Sequence, residues 1–134
     1  MSARDRFLDT NVLLYLLSAD QKKADRAESE VAIGGVISVQ VLNEFASVAR
    51  RKLRMAYADI REVLFAVRAN CSVVPVTEET HDLGLQIADR HGLAVHDSMI
   101  VASALLAGCT RLLSEDLHDG QDIEGRLTIR NPFR

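Results

Sequence analysis

Four acidic residues are the places where this chain has the means to do chemistry: Asp9, Glu44, Asp97 and Asp116. Each sits at the edge of an apolar stretch. Asp9 closes the short run Phe7-Leu8 and is followed by Thr10-Asn11 before the chain returns to Val12-Leu13-Leu14. Holding an ionised carboxylate that close to a core costs several kcal/mol unless a partner or a metal compensates it. Asp9 therefore either caps the helix that follows or belongs to a site. Carboxylates brought together repel one another, and without a counter-charge at least one is driven to protonate. A divalent cation resolves this. Hard oxygen donors with several retained waters suit Mg²⁺ or Mn²⁺, whereas zinc would call for a Cys/His cluster, and the chain has none. Such an ion can activate water and stabilise charge on a phosphate.

Short apolar runs alternate with helical stretches, the pattern of a parallel sheet covered on both faces. Residues 6–9 read as the first strand, with a helix from about Val12. A polar helix over 21–33 ends at Gly34-Gly35, a left-handed stop. Val36-Ile37-Ser38 is a minimal strand, and Ser38 caps a helix with Leu42, Phe45, Ala46, Ala49 and Leu53 on one face. A further helix covers 57–70. Residues 72–76 form a strand with Pro75 near its end, and Thr77 caps a helix that stops at His91-Gly92. Asp97 opens the most apolar helix, residues 99–107, which must be buried nearly all round. Residues 111–114 and 127–129 are the last two strands. In open α/β sheets ligands bind outside the carboxyl ends of the strands. Asp9 and Asp116 lie there directly, Glu44 in the first turns after the second strand, and Asp97 at a helix N-terminus, so all four can face one edge of the sheet.

Composition bounds the rest. With 134 residues, 48% hydrophobic and 26% charged, the chain reads as one ordinary globular domain able to bury a core without disulfides. Few aromatics and many Ala, Val and Leu favour helices packed on a buried sheet. Cys71 and Cys109 lie far apart without ligand-like spacing and read as small buried residues of a reducing compartment. The net charge of −3 gives no global basic field, so a polyanion must be met by a local patch or by bound metal. No signal-peptide pattern follows the N-terminus, and the apolar run 12–17 is far too short to span a bilayer. A cytoplasmic protein, away from membranes, is the expectation.

The stretches Phe7-Leu8-Asp9-Thr10-Asn11-Val12-Leu13, Asn43-Glu44-Phe45, His96-Asp97-Ser98-Met99-Ile100 and Leu113-Ser114-Glu115-Asp116-Leu117 together resemble the PIN-domain ribonucleases, in particular the VapC toxins of bacterial toxin–antitoxin pairs. The ending Ile129-Arg130-Asn131-Pro132-Phe133 is also similar to theirs. No single motif is specific. All four in this order, with the acids 35, 53 and 19 residues apart, form the signal. The resemblance implies a single domain over 1–134, a three-layer α/β/α sandwich with a mainly parallel sheet of four to five strands. It implies Asp9, Glu44, Asp97 and Asp116 as catalytic, metal-binding acids for one or two Mg²⁺ or Mn²⁺ ions. Thr10 and Asn11 match the opening motif, and Ser114 the hydroxyl residue that orients a carboxylate. Asp119 is a peripheral acid that competes with Asp116 for the fourth place, and Glu115 faces away. One departure is His96, where an aromatic residue often precedes the third acid; it bears on packing more than on chemistry. An RNA substrate, a cognate antitoxin and a homodimer are the implied partners, and hydrolysis by a metal-activated water the implied reaction.

Blander readings stand beside these. Asp9 and Asp97 sit where carboxylates cap helices or meet their dipoles. Most Glu residues are solvated, and only the family match singles out Glu44. The four histidines read as surface or supporting groups. Arg50 and Arg51, at the end of the helix carrying Glu44, fit a helix C-terminus as well as they fit a contact for RNA phosphate or an acidic antitoxin segment. A PIN-like module that binds RNA or antitoxin without turnover is the alternative function. A phosphoacceptor domain would need a Lys beyond its last strand, and the last Lys here is Lys52.

Overall fold

The computed structural model describes residues 3–134. Its order is β1 (Arg6–Leu8), α1 (Thr10–Leu14) continued by a 3-10 turn (Tyr15–Leu17), α2 (Gln21–Ile33), β2 (Gly35–Ser38), α3 (Val39–Leu53), α4 (Tyr57–Asn70), β3 (Cys71–Val74), α5 (Glu78–His91), α6 (Val95–Leu106), β4 (Arg111–Leu113), β5 (Asp122–Ile123) and β6 (Leu127–Arg130).

The sheet runs β3-β2-β1-β4-β6-β5, every pair parallel except β5 with β6. From β1 the chain moves outward to β2 and β3, then returns across the sheet to β4. Right-handed crossovers place helices of opposite travel on opposite faces, so α1–α4 form one layer and α5–α6 the other. This is the expected three-layer sandwich. It has six strands rather than four or five: the sixth is the two-residue β5, an edge hairpin partner too short to leave a periodic pattern in the sequence.

Both faces of β1 and β2 are buried, which is why they read as unbroken apolar runs rather than alternating ones. Phe7, Leu8, Ile37, Leu112 and Ile129 are fully buried in the core or nearly so, together with Val12, Leu13, Val41 and Phe45 from the helices above. Arg6 is buried on the first strand, where it pairs with the buried Glu30 of α2 at 2.8 Å. Gly34 takes φ +89°, and a Cβ there would lie 2.5 Å from the Asn70 carbonyl oxygen, so α2 can end into β2 here only on glycine. Helix α6 begins at Val95, two residues before Asp97, because Ala94 is the residue that turns extended; its residues Ile100 to Leu105 are all buried. Cys71 and Cys109 are free and buried, and burial pushes both thiols up. No helix among the described residues is long and apolar enough to cross a membrane.

The strand order reverses between β1 and β4. That switch point opens a crevice at the carboxyl ends of exactly two strands, those followed by Asp9 and Ser114.

Candidate active site

Register builds the site. Leu8 pairs with Leu113 across the switch point, and the Asp9 amide donates to the Leu113 carbonyl at 3.0 Å, so Asp9 and Ser114 emerge side by side. Asp9 then works twice. Its Oδ1 accepts from the Thr10 amide at 2.7 Å as the N-cap of α1, and its Oδ2 accepts from Ser114 Oγ at 2.8 Å. Capping and site membership, rivals in the sequence, are divided between the two oxygens.

Asn11 ties the loop after β4 to this centre. Its Nδ2 donates to Asp116 Oδ2 at 3.1 Å and reaches Ser114 Oγ at 3.3 Å and Asp9 Oδ2 at 3.4 Å, while its Oδ1 accepts from the Glu115 amide. Asp9 is buried, Glu44 and Asp97 are half-buried and Asp116 is exposed. Burial pushes the Asp9 carboxyl up to about 6; hydrogen bonds from Ser114 and Thr10 oppose the rise, and the charges of Glu44 and Asp116 add to it. The repulsion expected of gathered acids is therefore present for Asp9, Glu44 and Asp116. Asp97 lies in the first turn of α6, a helix whose N-terminus has no side-chain capping hydrogen bond.

Glu44 lies on α3, whose N-terminus Ser38 caps with its side chain. It lines a cleft of about 660 Å³ together with Gln40, Asn43, Arg51 and His96. Its Oε2 is buried and meets His96 Nε2, the residue just before Asp97. His96 is 53% exposed and touches a carboxylate, so its part at this position is polar rather than the packing expected from the sequence. A second cleft of about 470 Å³, lined by Asn11, Leu14, Leu17, Lys52, Leu53 and Asp116, adjoins the first at Val48.

The remaining candidates separate. Thr10 is buried, its hydroxyl without a partner. Asp119 accepts from the Asn131 amide at 2.9 Å and faces Arg134, which occupies it with the C-terminal segment. Glu115 turns toward Tyr15 and Lys23. Arg50 donates to the Met55 carbonyl and lies over the Tyr57 ring at 4.7 Å, whereas Arg51 faces the cleft beside Glu44. Sequence reasoning missed the polar link from Gln40 through His96 to Glu44. Gln40 and Glu44 stand four residues apart on one helix face, which is a signal; His96 comes from a distant helix and gave none.

The residues suit a hard divalent ion by their chemistry. All are oxygen donors, the Thr10 hydroxyl is buried without a partner, and the charges of Glu44 and Asp116 both raise the buried Asp9 carboxyl. Among the described residues no three acidic, His or Cys side chains converge as a closed cage. Mg²⁺ does not require one, since it keeps several waters and commonly takes one or two carboxylates.

Known proteins agree with this architecture. No curated protein matches the chain closely. Among solved structures it is similar to a toxin–antitoxin complex from Klebsiella pneumoniae (TM-score 0.71, 19% identity, covering 95% of this chain and 97% of that one). It is similar also to VapC20 of Mycobacterium tuberculosis, a Sarcin-Ricin loop cleaving toxin (0.66, 20%, covering 83% and 91%). A third is VapBC2 from Rickettsia felis bound to a promoter DNA fragment (0.66, 16%, covering 94% and 97%). These likenesses show the fold. The family model for the PIN domain matches residues 6–118, from the first residue of β1 to just past Asp116, and the chain belongs to the PIN domain family.

Proposed function

We propose that the protein is a metal-dependent endoribonuclease, the toxin of a toxin–antitoxin pair acting in the cytoplasm as a single domain over residues 1–134. The observation that supports this most is the buried Asp9 carboxyl at the switch point of the sheet, raised by burial and further by the charges of Glu44 and Asp116. Asp9, Glu44 and Asp116 would hold Mg²⁺ or Mn²⁺, with Asp97 joining them from the first turn of α6. When bound, the ion supplies a lowered water pKa and positive charge against the scissile phosphate. The chain's own groups do the rest. Ser114 and Thr10 fix the Asp9 carboxylate, Asn11 holds Asp116, and Arg51 offers a cation for a flanking phosphate. Toxin–antitoxin complexes among the structural neighbours support an antitoxin partner, and a homodimer is proposed from the family resemblance alone.

The second reading is a catalytically silent module that binds RNA or antitoxin, and the absence of a converged three-ligand cage among the described residues favours it. One experiment separates the two. Antitoxin-free protein is incubated with total RNA in Mg²⁺, Mn²⁺ or EDTA, beside Asp9→Asn and Asp97→Asn. The nuclease predicts metal-dependent cutting that both variants lose. RNA binding without turnover under either metal would establish the silent module.

A further inference from the structure

Among the described residues, His96 is the imidazole in contact with a candidate metal-binding acid. Its Nε2 meets Glu44 Oε2, and its Nδ1 lies 3.2 Å from Gln40 Nε2. The orientation of the Gln40 amide is fixed independently: the same Nε2 lies 3.2 Å from the His96 backbone carbonyl, which can only accept. The Gln40 amide therefore presents N–H groups to the ring, and Nδ1 accepts. A neutral imidazole that accepts at Nδ1 carries its proton at Nε2. That proton faces Glu44. The arrangement links three positions: Gln40 and Glu44 one turn apart on α3, and His96 in the first turn of α6, adjacent to Asp97. Among the described residues this is the polar contact that joins the Glu44 carboxylate to α6.

We propose that His96 is a positioning residue for the metal site: with its tautomer set by Gln40, it holds Glu44 by Oε2, leaves Oε1 for the metal, and fixes the Asp97 turn of α6 against α3. The inference rests on the metal-site reading above. It assigns a task to a position where a merely space-filling aromatic ring would serve packing alone. Hydrogen bonds of this kind to ligating carboxylates change metal affinity by about 10- to 100-fold when removed.

The test is Mn²⁺ binding to the full chain, followed by the electron spin resonance of free Mn²⁺, with the thermal midpoint of each metal-free variant as a fold control. His96→Phe keeps a ring and removes the donor; His96→Gln keeps a donor near the place of Nε2; Gln40→Met removes the tautomer selection and leaves His96 intact. The expected result is an affinity loss of about 10-fold or more in His96→Phe, a smaller loss in Gln40→Met, and retention within about 3-fold in His96→Gln, at similar thermal midpoints. Wild-type affinity in both His96→Phe and Gln40→Met would overturn the proposal alone, as would equal losses in His96→Phe and His96→Gln. Wild-type protein without a Mn²⁺ site, or Asp9→Asn with unchanged affinity, would overturn the metal site itself and His96's task with it.

Discussion

Ser114 Oγ gives its single proton to Asp9 Oδ2 at 2.8 Å while accepting from the Asp116 amide at 3.2 Å and the Leu117 amide at 3.3 Å. One hydroxyl thus shapes the loop after β4 and orients the buried carboxylate. With its acceptor capacity taken by backbone and Asn11 donors, its proton has no alternative destination than Asp9. Ser114→Ala leaves two amides without their acceptor and a carboxylate without its donor. The expected cost is about 1–3 kcal/mol in urea unfolding, together with about 10-fold weaker Mn²⁺ binding. A variant of wild-type stability and affinity would refute the role.

The Asp9 carboxyl, raised by burial from 3.8 to about 6, makes metal-free stability depend on pH. The folded protein holds this proton more tightly than the unfolded chain does. The contribution is fully present below the unfolded value and is lost as pH rises through about 6. The loss is on the order of 3 kcal/mol. Comparing urea unfolding of wild type and Asp9→Asn in EDTA between pH 4 and pH 7 should show an additional fall in the wild type alone. Parallel profiles would mean that Asp9 titrates normally.

Adjacent arginines should behave differently. Arg51 faces the cleft with Glu44, and Arg51→Ala is expected to weaken RNA binding for all sequences and to reduce the salt slope by about 0.7. Arg50 closes the end of α3 on Met55 and Tyr57, so Arg50→Ala should lower the thermal midpoint and leave the salt slope unchanged. Filter-binding titrations at several salt concentrations check both. An unchanged slope in Arg51→Ala would remove it from the RNA path.

Arg6 and Glu30 form a buried pair that fastens α2 to the first strand, with Arg26 as a further partner of Glu30 at 3.0 Å. Removing one member leaves an uncompensated buried charge. Glu30→Ala should cost about 3–5 kcal/mol in denaturant unfolding, whereas Arg26→Ala, at an exposed position, should change little.

Local sequence determined most of the elements. Ser38, Thr77, Gly34 and Gly92 fix helix boundaries because caps and left-handed stops depend on nearest neighbours only, and the structure places them at those ends. The unbroken apolar runs at β1 and β2 told of strands buried on both faces. Two-residue β5 left no such trace, and neither did the start of α6 at Val95, which a carboxylate at Asp97 masked.

The acids were legible as residues but not as an arrangement. Sequence placed Asp9, Glu44 and Asp116 at or just past strand ends and Asp97 at a helix N-terminus. Only the pairing of Leu8 with Leu113 set Asp9 beside Ser114, and only the packed fold brought the charges of Glu44 and Asp116 to bear on it. Tertiary structure alone also gave Asp119 to the C-terminal segment and His96 to Glu44. The physical reason is range. Capping and periodicity act over a few residues and can be read along the chain, whereas register, burial and the electrostatic coupling of carboxylates depend on which distant segments the sheet makes neighbours.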